Sequence, residues 1–198
     1  MIAVIDTGGA NLASVINAIA RLGREAELTR DPARLRAASH VILPGVGAAA
    51  DSMDKLQGAG LVPVIRSLKQ PVMGICLGMQ LLFERSTEGD VACLGIVPGT
   101  VTAIVPAPEK GITVPHMGWN DIHKRGPACR LLEGTDDGSY FYFVHTYVAP
   151  EGPWVRAVTD HGGTVVAAIE HQNFLGVQFH PERSGSVGAS LLERFFSL

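Results

Sequence analysis

The sequence has few cysteines, and their number and spacing argue against a fold stabilised by disulfides or by zinc. Its 198 residues contain three cysteines, Cys76, Cys93 and Cys129, with no Cys-x-x-Cys pair. An odd number of cysteines without such a pair argues against a disulfide framework or a zinc site, and it fits a reducing cytoplasm. All three can be small buried hydrophobic residues, or one of them can serve chemistry.

Long apolar runs and an excess of one charge are absent as well. No segment approaches the roughly 18 apolar residues of a membrane span, and the chain begins as a strand without the basic start of a signal peptide. The formal net charge is −3 and no run of Lys or Arg occurs, so we expect no nucleic-acid or membrane surface. The histidines do not have the spacing of metal ligands. The turn at 6–11 has the wrong spacing for a dinucleotide-binding site, although it could hold an anion. We therefore expect no metal and no organic cofactor.

The first half of the sequence alternates short apolar segments with helical ones. Buried strands that alternate with helices indicate a mostly parallel sheet covered on both faces. The expected strands are 2–5, 25–29, 40–43 and 72–75, and the expected helices are 11–22, with Asn11 as its cap, a weakly helical region at 51–68, and 77–84.

The second half has mainly strands separated by glycine or proline turns. The expected strands are 97–105, 119–123, 140–148, 155–159, 164–170 and 174–179, followed by an amphipathic helix at 184–198. No repeat or linker interrupts the chain. The sequence therefore predicts an α/β fold in one domain, 1–198, with a mostly parallel central sheet flanked by helices and a more antiparallel C-terminal half.

One cysteine lies in a pattern that is typical of an exposed nucleophile. Gly74-Ile75-Cys76-Leu77-Gly78 has the form Gly-x-nucleophile-x-Gly between an expected strand and an expected helix. The two glycines permit a tight turn, and the free amides at the start of a helix favour thiolate over thiol. Such a pentapeptide also arises by chance, so it needs support from elsewhere in the chain.

A cysteine nucleophile needs a base, and one of the seven histidines has a suitable setting. His180 follows an apolar strand in the segment Gln178-Phe-His-Pro-Glu182. In an extended chain, residues two apart point to the same side, so Glu182 can orient the imidazole of His180 while the ring accepts the thiol proton. The alternative is an ordinary strand end with an exposed acid.

Acyl transfer also needs donors for an oxyanion. The amide of Leu77, directly after Cys76, is the first candidate. A second can come from the loop 44–47, Pro-Gly-Val-Gly, at the carboxyl end of the neighbouring strand, where open α/β sheets bind ligands. That loop can equally be a simple connection between a strand and a helix.

The three segments Pro-Gly-Val-Gly, Gly-Ile-Cys-Leu-Gly-Met-Gln and Gln-Phe-His-Pro-Glu, in this order, resemble the class I (triad-type) glutamine amidotransferases, whose fold is flavodoxin-like. The resemblance covers essentially the whole chain and implies that Cys76 attacks the side-chain amide of glutamine, with His180 as base and acid and Glu182 orienting it. It further implies oxyanion amides at Gly47 and Leu77, and glutamine contacts at Gln80, Thr146 and Tyr147.

Two more segments resemble the glutaminase subunits of imidazole glycerol phosphate synthases, which act in histidine biosynthesis. They are 114–120, Val-Pro-His-Met-Gly-Trp-Asn, and 140–147, Tyr-Phe-Tyr-Phe-Val-His-Thr-Tyr. This resemblance implies a heterodimer with a separate cyclase, a (β/α)₈ barrel that receives ammonia. The residues that it places on the docking face are His116, Trp119, Asn120, Tyr142 and Arg183.

The residue types themselves support a docking surface but leave alternatives open. Aromatic and Met side chains are enriched in interface cores, and Pro115, Met117 and Trp119 lie close together. Met117 and Trp119 can instead pack beneath a loop. A glutaminase that feeds another synthase, a non-catalytic assembly module, and a cysteine hydrolase of a related fold remain alternative functions.

Overall fold

The fold is built on a large sheet with helices on both faces, as the alternation of strands and helices predicts. The computed structural model describes residues 1–8, 12–45 and 47–198, so the predicted cap Asn11 and the loop residue Val46 lie outside the described residues. The strands are β1 (Ile2–Ile5), β2 (Ala26–Thr29), β3 (His40–Leu43), β4 (Val72–Ile75), β5 (Phe83–Ser86), β6 (Val91–Ala92), β7 (Val97–Ala103), β8 (His116–Lys124), β9 (Ser139–His145), β10 (Tyr147–Val148), β11 (Val155–Asp160), β12 (Thr164–His171) and β13 (Phe174–Val177).

Helices connect the parallel strands and close the chain. They are α1 (Leu12–Arg21), α2 (Pro32–Ala37), α3 (Ala49–Gly58), α4 (Leu61–Ser67), α5 (Leu77–Gln80) and α6 (Gly185–Phe195), with 3₁₀ turns at Pro108–Lys110, Arg130–Leu132 and Pro181–Arg183. The local sequence explains where α2 begins. Asp31 accepts a hydrogen bond from the amide of Ala33 at 2.8 Å and so caps α2, whose first residue is Pro32.

The large sheet has nine strands in the order β2-β1-β3-β4-β13-β12-β11-β8-β9. The pairs from β2 to β13 are parallel, and the pairs from β13 to β9 are antiparallel. This confirms the predicted parallel front and antiparallel back. A smaller sheet, β10-β7-β5-β6, lies outside that prediction.

Alternate residues of the central strands enter two separate cores. Ala3 and Ile5 of β1 pack with α3 and α4, whereas Ile2 and Val4 pack with α1 and α6. Because strand side chains alternate between the two faces, each face of the sheet is covered by its own layer of helices.

The predicted helix at 77–84 is wrong beyond Gln80. Helix α5 has one turn, and Phe83 then begins β5, which pairs with β7 in the small sheet. Leu81, Leu82 and Phe83 are fully buried. A buried apolar run of this length has no periodicity that separates helix from strand, which is why the pattern misled.

Candidate active site

Cys76 occupies a sharp, strained turn at the end of the buried strand β4. Its backbone has φ 53° and ψ −114°, a conformation that a residue with a Cβ adopts only where the surroundings impose it. Leu77 begins the one-turn helix α5 directly afterwards. The turn therefore sets the thiol at the carboxyl edge of the parallel strands.

The glycines around Cys76 are required because two backbone segments meet there. A Cβ at Gly78 would collide with the carbonyl oxygen of Leu43, and a Cβ at Gly74 would lie 2.6 Å from the backbone of Gly78. A Cβ at Gly45 would collide with the amide of Leu77. The loop after β3 thus packs directly onto the Cys76 turn, as parallel pairing of β3 with β4 requires.

His180 and Glu182 form a buried pair beside this turn. The Nδ1 atom of His180 lies 2.8 Å from Oε1 of Glu182, and their side chains are 6% and 1% exposed. The amide of His180 donates to the carbonyl of Tyr142 at 2.8 Å, and the hydroxyl of Ser184 donates to the carbonyl of His180 at 2.7 Å. The histidine is therefore fixed through both its backbone and its ring.

The route to this pair differs from the extended chain that the sequence suggested. Strand β13 ends at Val177, and residues Pro181–Arg183 form a 3₁₀ turn. That turn folds Glu182 back toward the ring of His180, so the pairing comes from a tight turn and not from side-chain alternation.

The pKa of His180 is raised to about 10 by its surroundings. Burial opposes the charged ring, but the interactions with Cys76 and Glu182 are larger when combined and favour the imidazolium. The Nε2 atom is buried and makes no hydrogen bond among the described residues. A cysteine beside an imidazole that holds a proton, backed by a carboxylate, can perform nucleophilic acyl transfer.

Two groups make sulfur hydrogen bonds with Cys76. Its Sγ donates to the carbonyl of Val144 at 3.6 Å, and the side-chain amide of Gln178 donates to Sγ at 3.7 Å. Gln178 is missing from the residues that the sequence predicted for the site. The signal was present, since Gln178 stands in the same Gln-Phe-His-Pro-Glu segment and the strand β13 pairs with β4.

A cavity of about 280 Å³ opens in front of Cys76, at the small end of ligand pockets. It brings together the predicted residues Gly47, Leu77, Gln80, Thr146 and Tyr147. Glu88 also lines this cavity, and its carboxylate accepts the amide of Ala49, the first residue of α3, at 2.8 Å. Nothing in the sequence around Glu88 pointed to this position.

The amide of Gln80 is held by the protein itself. Its Nε2 donates to the carbonyl of Tyr147 and to Oε1 of Gln178, both at 2.9 Å. The carbonyl of Thr146 accepts the amide of Ile104 at 2.8 Å. The amide nitrogen of Gln80 thus holds this side chain in the cavity wall, and the wall at Thr146 is held by the amide of Ile104.

Two neutral histidines extend from the cavity wall. His145 Nδ1 donates to the carbonyl of Tyr147 at 2.9 Å, so its Nε2 accepts from Nδ1 of His116 at 2.9 Å. Burial is the main cause that lowers the pKa of His145 to about 4 and that of His116 to about 3. The amide of Asn120 bonds Nε2 of His116 at 3.3 Å and the carbonyl of Asp160 at 2.7 Å.

The five residues predicted for a docking face do not all reach the surface. His116 is buried, and the amide of Asn120 is used internally. Trp119 is 56% exposed, and its ring contacts that of Tyr142 across β8 and β9 at 6.1 Å between centroids. Arg183 is exposed beside the His180 turn.

Metal and membrane features can be assessed for the same described residues. They contain no cluster of three or more His, Cys, Asp or Glu side chains that could hold a metal ion. Within residues 1–8, 12–45 and 47–198, every helix is too short or too polar to span a bilayer.

Solved structures resemble this fold over nearly its whole length. A glutamine amidotransferase matches with a TM-score of 0.74 and 17% identity, covering 98% of each chain. PurLQS from Thermotoga maritima matches with a TM-score of 0.71 and 19% identity, covering 99% of this chain and 97% of that one. At these identities the likeness shows the fold alone.

Sequence comparison is more specific. The imidazole glycerol phosphate synthase subunit HisH of Xanthomonas axonopodis pv. citri (strain 306) is 50% identical over 197 residues, covering 100% of this chain and 97% of the relative. Subunit HisH 2 of Legionella pneumophila (strain Paris) is 48% identical over 198 residues, covering 100% and 98%. The family model for glutamine amidotransferase class-I matches residues 3–198, and the chain belongs to the class I glutamine amidotransferase family.

Proposed function

We propose that this chain is the glutaminase subunit of an imidazole glycerol phosphate synthase. It hydrolyses glutamine to glutamate and ammonia and delivers the ammonia to a separate cyclase subunit in the cytoplasm. The observation that carries the proposal is Cys76 in a strained turn, beside the buried His180–Glu182 pair and in front of a cavity. Relatives of about the same length, 50% and 48% identical, are named as HisH subunits of that synthase.

The proposed reaction uses two steps at Cys76. The thiolate adds to the side-chain amide carbon of glutamine, and the imidazolium of His180 gives its proton to the departing nitrogen as the carbon–nitrogen bond breaks. Ammonia leaves and a γ-glutamyl thioester remains. His180 then takes a proton from water, the water oxygen attacks the thioester carbonyl, and glutamate leaves as Cys76 is regenerated. Glu182 orients the ring and stabilises its charge throughout.

The oxyanion that forms in each step needs donors. Leu77 and Gly47 both line the cavity, and their backbone amides are the proposed donors. Gly47 has φ 85°, a conformation that glycine adopts without strain, so its peptide plane can present or withdraw a donor at low cost. In this proposal the amide of Gly47 completes the oxyanion hole when the enzyme is active.

Glutamine recognition follows from the charges and dipoles of the cavity wall. The Oε1 atom of Gln80 is its free acceptor, because both hydrogens on Nε2 are used within the protein. Glu88 places a carboxylate where the α-ammonium of glutamine can pair with it, and the backbone at Thr146 and Tyr147 holds the substrate's carboxylate end.

The partner in this proposal is a (β/α)₈-barrel cyclase that binds the exposed side of β8 and β9 to form a heterodimer. Met117, Trp119 and Tyr140 are 65%, 56% and 56% exposed there, which is unusual for such large apolar side chains. Strand β9 also supplies Val144 and the carbonyl of Tyr142 that holds His180. A barrel on this face therefore lies next to the catalytic pair.

The test measures glutamate release by the chain alone, with the cyclase, and with the cyclase and its nucleotide ligand. We expect at least about tenfold faster release in the loaded complex than in the chain alone, about 1.4 kcal/mol of barrier. Release that is equally fast without the cyclase contradicts the proposal, as does stimulation by a different synthase only.

A pair of variants tests the docking face. Trp119→Ala should weaken cyclase binding by about tenfold or more, because central aromatic residues dominate interfaces. Leu28→Ala is the matched control, since Leu28 is 44% exposed on β2 at the opposite edge of the sheet. Equal affinities for the two variants would place the partner elsewhere.

A further inference from the structure

Gln178 is a polar residue in one of the least exposed places of the molecule. Its side chain is fully buried just after β13, where an amide without partners would be costly. Strands β13 and β4 are parallel with Val177 opposite Ile75, and the amide of Cys76 donates to the carbonyl of Val177 at 2.8 Å. This register places Gln178 beside Cys76.

The neighbours of Gln178 determine the orientation of its side-chain amide. Its Oε1 accepts from Nε2 of Gln80 at 2.9 Å, and the same Nε2 donates to the carbonyl of Tyr147. With Oε1 facing a donor, the amide nitrogen of Gln178 points to Cys76, 3.7 Å from Sγ. Among the described residues, Sγ is the acceptor that this nitrogen has.

The two hydrogen bonds at Sγ suit different protonation states. The carbonyl of Val144 accepts from the thiol at 3.6 Å, whereas a thiolate has no proton to donate to it. The amide of Gln178 donates to sulfur in either state, and a donor to a charged acceptor is the stronger bond. Gln178 thus interacts more favourably with the thiolate than with the thiol.

We propose that Gln178, turned by Gln80, donates a hydrogen bond that stabilises the thiolate of Cys76 and aims it at the cavity. This inference rests on the proposed function in assigning Cys76 as the nucleophile. A series of hydrogen bonds then links Tyr147 in the cavity wall through Gln80 and Gln178 to the sulfur of Cys76. The same series therefore affects both the position of the substrate and the charge on the nucleophile.

The test is the pH profile of Cys76 alkylation by iodoacetamide in the folded chain, read by mass spectrometry of the cysteine peptides. Burial raises the pKa of Cys93 and of Cys129 to about 11, so near neutral pH these two thiols stay unlabelled. Their labelling would report unfolding in any variant, which provides an internal control for the fold.

Two replacements remove the donor in different ways. Gln178→Glu keeps an oxygen for Gln80 but has no amide hydrogens, and Gln178→Met removes all hydrogen bonding at a similar size. Gln178→Met should move the midpoint of Cys76 alkylation upward by about one pH unit. Gln178→Glu should move it further, because its charge also repels the thiolate. Gln70→Glu is the control, because Gln70 precedes β4 at the end away from Cys76 and bonds the carbonyl of Leu35.

An unchanged midpoint in both Gln178 variants, with Cys93 and Cys129 still protected, overturns the inference. Glutaminase activity of the cyclase complex gives the second readout, for which we expect about a tenfold loss of kcat/KM in Gln178→Met at neutral pH. Loss of activity at an unchanged midpoint would also contradict the inference, because it indicates packing alone. If the native complex has no glutaminase activity, the proposed function fails, whereas the alkylation profile still tests Gln178.

Discussion

At the scale of single residues, the main feature of the site is that its histidine and its carboxylate are both buried. His180 and Glu182 are both nearly inaccessible, so their interaction is not screened as a surface ion pair would be. Burial alone would lower the pKa of His180, and the raised value shows that Cys76 and Glu182 outweigh it together. The buried partners keep a proton on the ring.

The replacement Glu182→Gln tests this balance. It removes one of the two groups that raise the pKa of His180, so the pKa should fall well below about 10, and kcat/KM for glutamine should fall by about 10²- to 10⁴-fold. NMR titration of the His180 ring and steady-state kinetics measure the two effects. Glu193→Gln, on the exposed side of α6, is the control. An unchanged pKa of His180 would mean that Glu182 does not act on the ring.

The raised pKa of His180 also predicts the direction of a stability effect. A histidine charged in the folded state stabilises it fully below the unfolded pKa of about 6.5, and the effect is lost as pH rises through the folded value of about 10. The buried neutral His145, with its pKa lowered to about 4, has the opposite sign, since its contribution is lost as pH falls from about 6.5 toward 4.

Residue patterns predicted the triad candidates and part of their surroundings, but they missed Gln178 and Glu88. Cys76, His180 and Glu182 stand in short motifs whose chemistry can be recognised from residue type and spacing. Glu88 follows β5 of the smaller sheet and reaches the amide of Ala49 in α3, whereas the sequence predicted a helix at 77–84 that overlaps the start of β5. Long-range placement of this kind follows from packing, not from local pattern.

At the scale of secondary-structure elements, the Cys76 turn depends on close contact between two loops. The missing side chain at Gly78 lets α5 approach the carbonyl of Leu43, so the loop with Gly45 and Gly47 lies against the turn. Gly47 and Leu77, which are predicted to supply the oxyanion amides, line the same cavity, and the strands before them, β3 and β4, are parallel neighbours.

Replacing Gly78 by Ala should separate these loops. We expect Gly78→Ala to destabilise the fold by about 1–3 kcal/mol and to reduce glutaminase activity further than stability explains, because the backbone must shift. Gly58→Ala is the matched control: a Cβ at this α3 position meets nothing within 4 Å, and it should stabilise by up to about 1 kcal/mol. Urea unfolding measures both, and equal effects would contradict the crowding argument.

The elements that the sequence predicted well are those with a clear period or clear boundaries. The strands 2–5, 40–43 and 72–75 agree with β1, β3 and β4. The segment 140–148 was predicted as one strand, but β9 and β10 belong to different sheets and separate at Thr146. A continuous run of strand-forming residues cannot show where the chain changes sheets.

At the scale of the whole molecule, the Cys76 turn and the exposed apolar side chains lie on different strands of the large sheet. The parallel strands carry Cys76 at their carboxyl edge, and the antiparallel strands β8 and β9 present an apolar face at the opposite side from β2. Because the carbonyl of Tyr142 in β9 accepts the amide of His180, the proposed partner on β9 would contact the strand that holds the His180–Glu182 pair. The resemblance to known sequences, not the residue pattern, predicted which partner this is.

The most direct test of the central claim follows the amide nitrogen of glutamine through the assembled synthase. Glutamine labelled with ¹⁵N at the amide is supplied to the complex of this chain with the cyclase, with unlabelled ammonium in solution. The account predicts ¹⁵N in the imidazole ring of the product, and no label when Cys76→Ala replaces the native chain, although that complex still uses free ammonium. Equal labelling with Cys76→Ala, or release of all the ¹⁵N to solution by the native complex, would contradict the account.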